Sequence, residues 1–332
     1  MSLLTKEMHL IEPNSAVIKP VPGRDGFGKG LVESSEHDQN IWAITADVCE
    51  STRVHWFAEK FPHRFVQVGV AEQNMAGVAA GIAACGKTVF ISAFGAFSPG
   101  RNWDQIRVSI CYSNLPVKIH ASHTGLTVGA DGASHQMLED IALMRVLPNM
   151  VVVVPADAEE TRKAVHAIAK LPGPAYIRTY REKTPVFTTE KTPFEIGRAN
   201  VYRDGRDIAI VACGAQVYES LVAAERLSKD GIDVAVIDCH TIKPIDHKTI
   251  ESYAKKTGIF VTVEDHQVNG GLGSAVAEVV ASMLQPAQVI RHGVYDHFCE
   301  SGEAPELLKK YKLDAEGIAD VVRAAIKNKD YK

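Results

Sequence analysis

The sequence predicts an α/β protein of two domains, each a mostly parallel sheet flanked by helices. Three observations predict it. Short β-branched runs alternate with longer stretches of helical periodicity, and the runs read apolar on both faces, as strands covered on two sides do. The alternation breaks once, at KTPVFTTEKTPFEIG over 183–197, where two prolines and several threonines read as a connection between domains. The length of 332 residues suits two domains of about 150 residues, each able to bury its own core.

Taken in order, the strands expected in the first half are IWAIT at 41–45, FVQV at 65–68, TVFIS at 88–92, VKIHA at 117–121, MVVVV at 150–154 and AYIR at 175–178. In the second half they are DIAIVA at 207–212, IDVAVID at 232–238 and GIFVTVE at 258–264. Amphipathic helices fit 216–229 and 273–284, and a last one fits 315–328, where Ile318, Val321, Val322 and Ile326 recur at helical spacing. These elements place a first domain at 15–186, a linker at 187–198 and a second domain at 199–332. Function is expected at the carboxyl ends of the strands, where open parallel sheets form their crevices.

Composition narrows the class. Hydrophobic residues make up 46% and charged residues 23%, which leaves no room for a long disordered tract. A net charge of -4 and basic residues scattered along the chain argue against nucleic acid as a partner. MSLLTKEMHLIEPNS lacks the basic, apolar and small-residue order of a secretory signal, and no stretch is long and apolar enough to span a membrane. The six cysteines, Cys49, Cys85, Cys111, Cys213, Cys239 and Cys299, stand singly, so neither a zinc site nor a disulfide framework is expected. A cytoplasmic protein is the expectation.

Two constellations can carry chemistry. In VGVAEQNMAGVAAGIAACG at 68–86 a strand hands over to a helix of Ala, Gly, Val and Ile, expected to be buried on all sides, with Glu72 in its first turn. An acid there either serves a site or complements the helix dipole, an arrangement worth about 0.3–1 kcal/mol, and this motif alone does not separate the two. SHTGLTVGADGASHQMLED at 122–140 puts His123, Asp131 and His135 on one glycine-rich loop after the strand VKIHA. Two histidines and an aspartate at the active end of a strand point to function without naming a reaction.

In order and spacing, AEQN with its small-residue helix, FGAF, GADGASHQ, PADAEET and TIKPID resemble the C-terminal half of transketolase. The resemblance spans nearly the whole chain and implies a thiamine diphosphate pyrimidine-binding fold followed by a transketolase C-terminal domain. By that resemblance Glu72 matches the glutamate that hydrogen-bonds N1′ of the aminopyrimidine and favours its imino tautomer, a task for a desolvated carboxylate. Phe97 matches the aromatic that stacks on the pyrimidine, with Phe94 a second wall and core packing the alternative for both. Asp47 matches an aspartate near the pyrimidine, with strand-end capping as its alternative. His135, taken with Glu72 as catalytic, and Asp131 match groups that contact the sugar's hydroxyls and carbonyl oxygen. Arg24, Ser51, His123 and Arg178 match the residues that bind the substrate phosphate, Arg178 being otherwise an ion-pair partner or a surface charge.

Two departures qualify the match. The family's THD reads Ser122-His123-Thr124, so a hydroxyl stands where an acidic group near the substrate is usual. The GDG motif with a following Asn, which in this family holds Mg²⁺ on the diphosphate, is absent, and no metal ligand is assigned to this chain. The resemblance therefore implies one subunit of a split enzyme. An N-terminal transketolase subunit would supply the diphosphate and Mg²⁺ site, an α2β2 assembly would complete it, and sugar phosphates of the pentose phosphate pathway type would be the substrates. Two alternatives in the same cofactor class are a 1-deoxyxylulose-5-phosphate synthase-like and a 2-oxoacid dehydrogenase β-like subunit. A third is a non-catalytic paralogue acting as a scaffold. Gly271 and Gly273 in VEDHQVNGGLGSAVAEVV form either an anion site at a helix N-terminus or a turn for close packing, the second being the stronger reading.

Overall fold

The computed structural model describes residues 4–329. Its strands, in chain order, are β1 (Pro20–Pro22), β2 (Ile41–Thr45), β3 (Phe65–Gln67), β4 (Thr88–Phe94), β5 (Val117–Ser122), β6 (Val151–Val153), β7 (Ala175–Arg178) and β8 (Lys183–Pro185), then β9 (Asn200–Arg203), β10 (Ile208–Ala212), β11 (Val234–Asp238), β12 (Thr241–Lys243), β13 (Ile259–Gln267) and β14 (Gln288–Val294). The helices are α1 (Gly23–His37), α2 (His55–Lys60), α3 (Glu72–Ala84), α4 (Trp103–Gln105), α5 (Asp140–Arg145), α6 (Ala158–Ala169), α7 (Gln216–Lys229), α8 (His247–Thr257), α9 (Leu272–Ala281), α10 (Ala304–Lys310) and α11 (Ala315–Lys329).

Two large sheets organise them, and β1 and β8 pair apart from these as a two-stranded antiparallel ribbon. The first has seven strands in the order β12-β6-β7-β5-β4-β2-β3, all parallel except β12; the second has five in the order β14-β13-β10-β11-β9, with only β9 antiparallel. The expected α/β class and the nine expected strands are present. Every residue of β5, β10 and β11 is buried, which is why those segments read as unbroken apolar runs.

Four elements differ from the sequence reading. The TIKPID motif carries β12 across to the first sheet, where Thr241 and Lys243 pair antiparallel with β6. The two sheets thus share one core, in which Ile44 and Ile91 belong to the same buried cluster as Val211, Phe260 and Leu272. Residues 187–198 are docked rather than loose: Phe187 is fully buried, and the N–H groups of Phe187 and Thr188 donate to Asp157 Oδ2 at 2.9 and 2.8 Å. GRDGFGKGL opens the 15-residue helix α1, whose glycines hide it from propensity at about 1 kcal/mol each relative to Ala. Gly26 shows the reason for the glycines, since a Cβ there would lie 2.0 Å from the carbonyl oxygen of Ala158 on α6.

The fourth difference is α3. It packs Met75, Ala76, Ala79, Ala80 and Ala83 onto the sheet but leaves Gln73, Asn74, Gly77, Gly81 and Ala84 exposed. Within this chain the helix covers a single layer, so its small residues form a shallow open face instead of being buried on all sides.

Candidate active site

The loops that follow β2, β3, β4, β5 and β7 all leave the same edge of the first sheet, because those strands are parallel neighbours. This topology gathers residues far apart in sequence. Glu72 follows β3 and starts α3; its carboxylate is buried and accepts from Arg101 Nη1 at 2.7 Å. Arg101, half exposed, lies with its guanidinium carbon 4.8 Å from the centre of the Phe97 ring. Asn102 fixes the start of α3 by donating to the Glu72 carbonyl at 3.1 Å.

From Phe97 the contacts continue across the opening. Its ring stacks on Phe94 at 5.7 Å and meets the edge of His135 at 5.5 Å. Phe94 in turn stacks on His123 at 3.8 Å. His123 Nε2 lies 3.4 Å from Arg24 Nη1, and the same Nη1 donates to the Ser51 carbonyl at 2.8 Å. Since guanidinium can only donate, Nε2 is the acceptor, and Nδ1–H is left for Ser122 Oγ at 2.9 Å. Burial, followed by the positive charges of Arg24 and Arg181, holds the His123 imidazole down to about 3, so it stays neutral.

The end of the row at Arg24 is electropositive. Arg24 is itself pulled below its ordinary value by burial and then by Arg53, with Arg181 adding to the effect and Asp25 opposing it. Arg53 Nε is held by Asp25 at 2.6 Å, and Arg181 Nη1 donates to the Val128 carbonyl at 2.6 Å while standing 3.6 Å from Asp131. Three arginines around a neutral imidazole make a site for an oxyanion.

Most of the residues singled out in the sequence fall within this row: Glu72, Phe94, Phe97, His123, His135, Arg24, Ser51 and, at its rim, exposed Asp131. Asp47 is exposed beside it, in a left-handed turn at the end of β2, with its N–H donating to Gln67 Oε1 at 2.8 Å. Arg178 is not in the row. It is fully buried, with Nε on Asp140 at 2.8 Å, Nη2 on the Asp265 carbonyl at 2.6 Å and Nη1 on Tyr180 at 3.1 Å, so its fork is consumed inside the protein. A phosphate role for Arg178 is therefore corrected in favour of the ion-pair alternative. The arginine at the mouth is Arg181, three residues on; the expected end of the strand AYIR at 178 is a hint in the sequence, but the burial of that strand end is what separates the two.

Thr124 is also internal, donating to the Thr179 carbonyl at 2.9 Å, so it does not meet a substrate as the sequence comparison suggested. At the start of α9 the N–H groups of Leu272 and Gly273 are taken by the buried carboxylate of Glu264, at 2.7 and 2.9 Å; that helix end already holds its anion. Among the described residues no group of three or more His, Cys, Asp or Glu is arranged to hold a metal, and no helix is long and apolar enough to cross a membrane.

Residues 19–186 match the transketolase pyrimidine-binding domain, and residues 197–318 match the transketolase C-terminal domain. The chain belongs to the transketolase family. A putative transketolase C-terminal section of Methanocaldococcus jannaschii is 46% identical over 92% of this chain and 96% of that protein. The 6-deoxy-6-sulfo-D-fructose transketolase subunit SqwH of a Clostridium species is 40% identical over 91% of this chain and 92% of its own length. Human transketolase is 35% identical, but the match covers only 50% of its length, so this chain corresponds to one half of the single-chain transketolase. A solved split-gene transketolase, an inactive β4 tetramer, superposes with a TM-score of 0.86 at 45% identity, covering 92% of this chain and 99% of that one. This transketolase-family chain is thus similar to C-terminal sections encoded separately from the rest of the enzyme.

Proposed function

We propose that this chain is the C-terminal subunit of a split, thiamine diphosphate-dependent transketolase that transfers a two-carbon ketol unit from a ketose phosphate to an aldose. The observation that carries the reading is the convergence of buried Glu72, the Phe97 ring and His135 on one opening. Glu72 and Phe97 already hold a flat, nitrogen-rich group between them, the Arg101 guanidinium, and an aminopyrimidine has the same shape and the same need for a carboxylate partner. The residues of this chain therefore fit the pyrimidine end of the cofactor. Thiamine diphosphate, when bound, supplies the nucleophilic carbon and the electron sink.

In this reading Glu72 and Phe97 hold the pyrimidine, with Phe94 and Asp47 beside them. Glu72 exchanges a proton at its carboxylate in surroundings from which water is excluded. His135 and Asp131 bind the sugar's oxygens, and a proton on the His135 imidazole stabilises charge developing on the carbonyl oxygen. Arg24 and the Ser51 hydroxyl, with Arg53 and Arg181, take the terminal phosphate, and neutral His123 sits among them as the acceptor that orients Arg24. The diphosphate and Mg²⁺ belong to a partner N-terminal subunit, and the open face of α3 is the natural docking surface for it. Exposed Val70, Val108 and Tyr112 lie beside that face and add apolar surface for a partner to cover. In this reading the two kinds of subunit form an α2β2 assembly in the cytoplasm, closed by twofold symmetry.

The test is reconstitution with a chain carrying the diphosphate half, thiamine diphosphate and Mg²⁺. Glu72→Gln should lower turnover by at least the 10²–10⁴-fold typical of a lost acid-base group. A variant that keeps nearly the original rate rejects the assignment.

A further inference from the structure

The sugar-facing loop, residues 122–136, is held by the second domain as well as by its own. Asp265 on β13 is fully buried, and its Oδ1 accepts the Leu126 N–H at 2.8 Å. Its Oδ2 has no hydrogen-bond partner and lies where a side chain at residue 125 would begin: a Cβ on Gly125 would sit 2.0 Å away, and Gly125 has φ +78°. Gly125 can therefore be only glycine while Asp265 stands there. The far end of the loop is clipped as well. Gln136 Nε2 donates to the Leu126 carbonyl at 3.3 Å and to the Glu300 carbonyl of the second domain at 3.1 Å. Arg178 ties the arrangement together, donating from Nη2 to the Asp265 carbonyl at 2.6 Å and the Met137 carbonyl at 3.3 Å.

We propose that Asp265 is the positioning residue through which the second domain sets the geometry of the sugar-binding loop, a role that rests on the functional reading above. Both ends of the loop are fixed, and Asp131 and His135 project from the segment between them. A carboxylate from another domain thus determines where those two side chains meet the sugar, without touching the sugar itself. Misplacement of binding groups by as little as an ångström costs orders of magnitude in rate, so the clip bears on function and not only on stability.

The experiment has two readouts. In the full chain, Asp265→Ala should speed backbone hydrogen exchange across 123–136 by about tenfold, as expected for one lost buried hydrogen bond, with the core strands unchanged. In the reconstituted complex, with fructose 6-phosphate as the ketose probe, it should raise KM by about tenfold while thiamine diphosphate binding stays within about twofold. Asp265→Asn keeps an oxygen for the Leu126 N–H and should restore both. Should Asp265→Ala not fold, Gln136→Ala releases the other clip and should move both readouts the same way. Unchanged exchange in the folded variants, or unchanged KM in an active complex, overturns the proposal. If exchange responds but no reconstituted complex turns over the ketose, the functional reading fails while the structural clip stands.

Discussion

Replacing Arg178 separates a buried structural cation from a substrate ligand. Arg178 and Asp140 are both fully buried; Asp140 Oδ2 accepts from Arg178 Nε at 2.8 Å and from Tyr176 at 2.5 Å. In Arg178→Met the carboxylate keeps only the tyrosine, the Asp265 carbonyl loses the Arg178 donor, and the Met137 carbonyl is left with the Gly125 N–H. Removing one partner of a buried pair costs about 3–5 kcal/mol, or roughly two to four orders of magnitude in the folding equilibrium. Urea unfolding of the chain, followed by far-ultraviolet circular dichroism, measures it. Arg178→Met with Asp140→Asn should recover part of the loss, because no uncompensated charge then remains inside. Arg181→Ala, half exposed, should change stability by less than about 0.5 kcal/mol. In the reconstituted complex it should raise KM for a phosphorylated ketose by roughly 10- to 100-fold, the range of a lost charge-assisted hydrogen bond. An Arg178→Met protein as stable as the original, with a raised KM for the phosphorylated sugar, would refute the reasoning.

Two further predictions concern pH. His240 is fully buried against Phe194, and burial holds its imidazole down to about 3, so its share of stability is present above the unfolded value near 6.5 and is lost as pH falls toward 3. By pH 4.5 the loss amounts to about 3 kcal/mol; His240→Phe should flatten the acid limb of stability against pH by an amount of that order, and parallel curves for the two proteins would contradict it. Glu160 on α6 and Asp238 on β11 are buried together, Glu160 Oε1 accepting from Tyr202 at 3.0 Å, and burial raises both carboxyls. Their contribution is present at low pH and lost as pH rises above the ordinary carboxylate range, so Asp238→Asn should hold its stability between pH 5 and 9 better than the original chain. Thermal unfolding across that range checks it, and an unchanged alkaline decline would rule the pair out as its cause.

Much of the architecture was legible in the sequence because it is written in local periodicity. Helix α7 falls where expected, and β5, β10 and β11 read as apolar runs because both faces are covered. What misled lies where tertiary contact overrides local preference. The glycines of α1 break a helical pattern, yet Gly26 permits the approach to Ala158 on α6 and Gly30 the approach to Arg162 on the same helix. The small residues of α3 look like a buried helix but leave one face open, since nothing local says how many layers cover it.

The site divides in the same way. The sequence by itself determined the chemical inventory: an acid opening a small-residue helix, two phenylalanines after a strand, and two histidines with an aspartate on a glycine-rich loop. Only the tertiary structure decided which cations face the opening. Arg178 and Arg181 stand three residues apart in one motif, and the end of β7 between them turns the first into a core ion pair and leaves the second at the mouth. It also decided that Asp265, more than a hundred residues downstream of the loop, holds Leu126. Side-chain chemistry is a local property, whereas burial and the partners that burial imposes are set by residues distant along the chain.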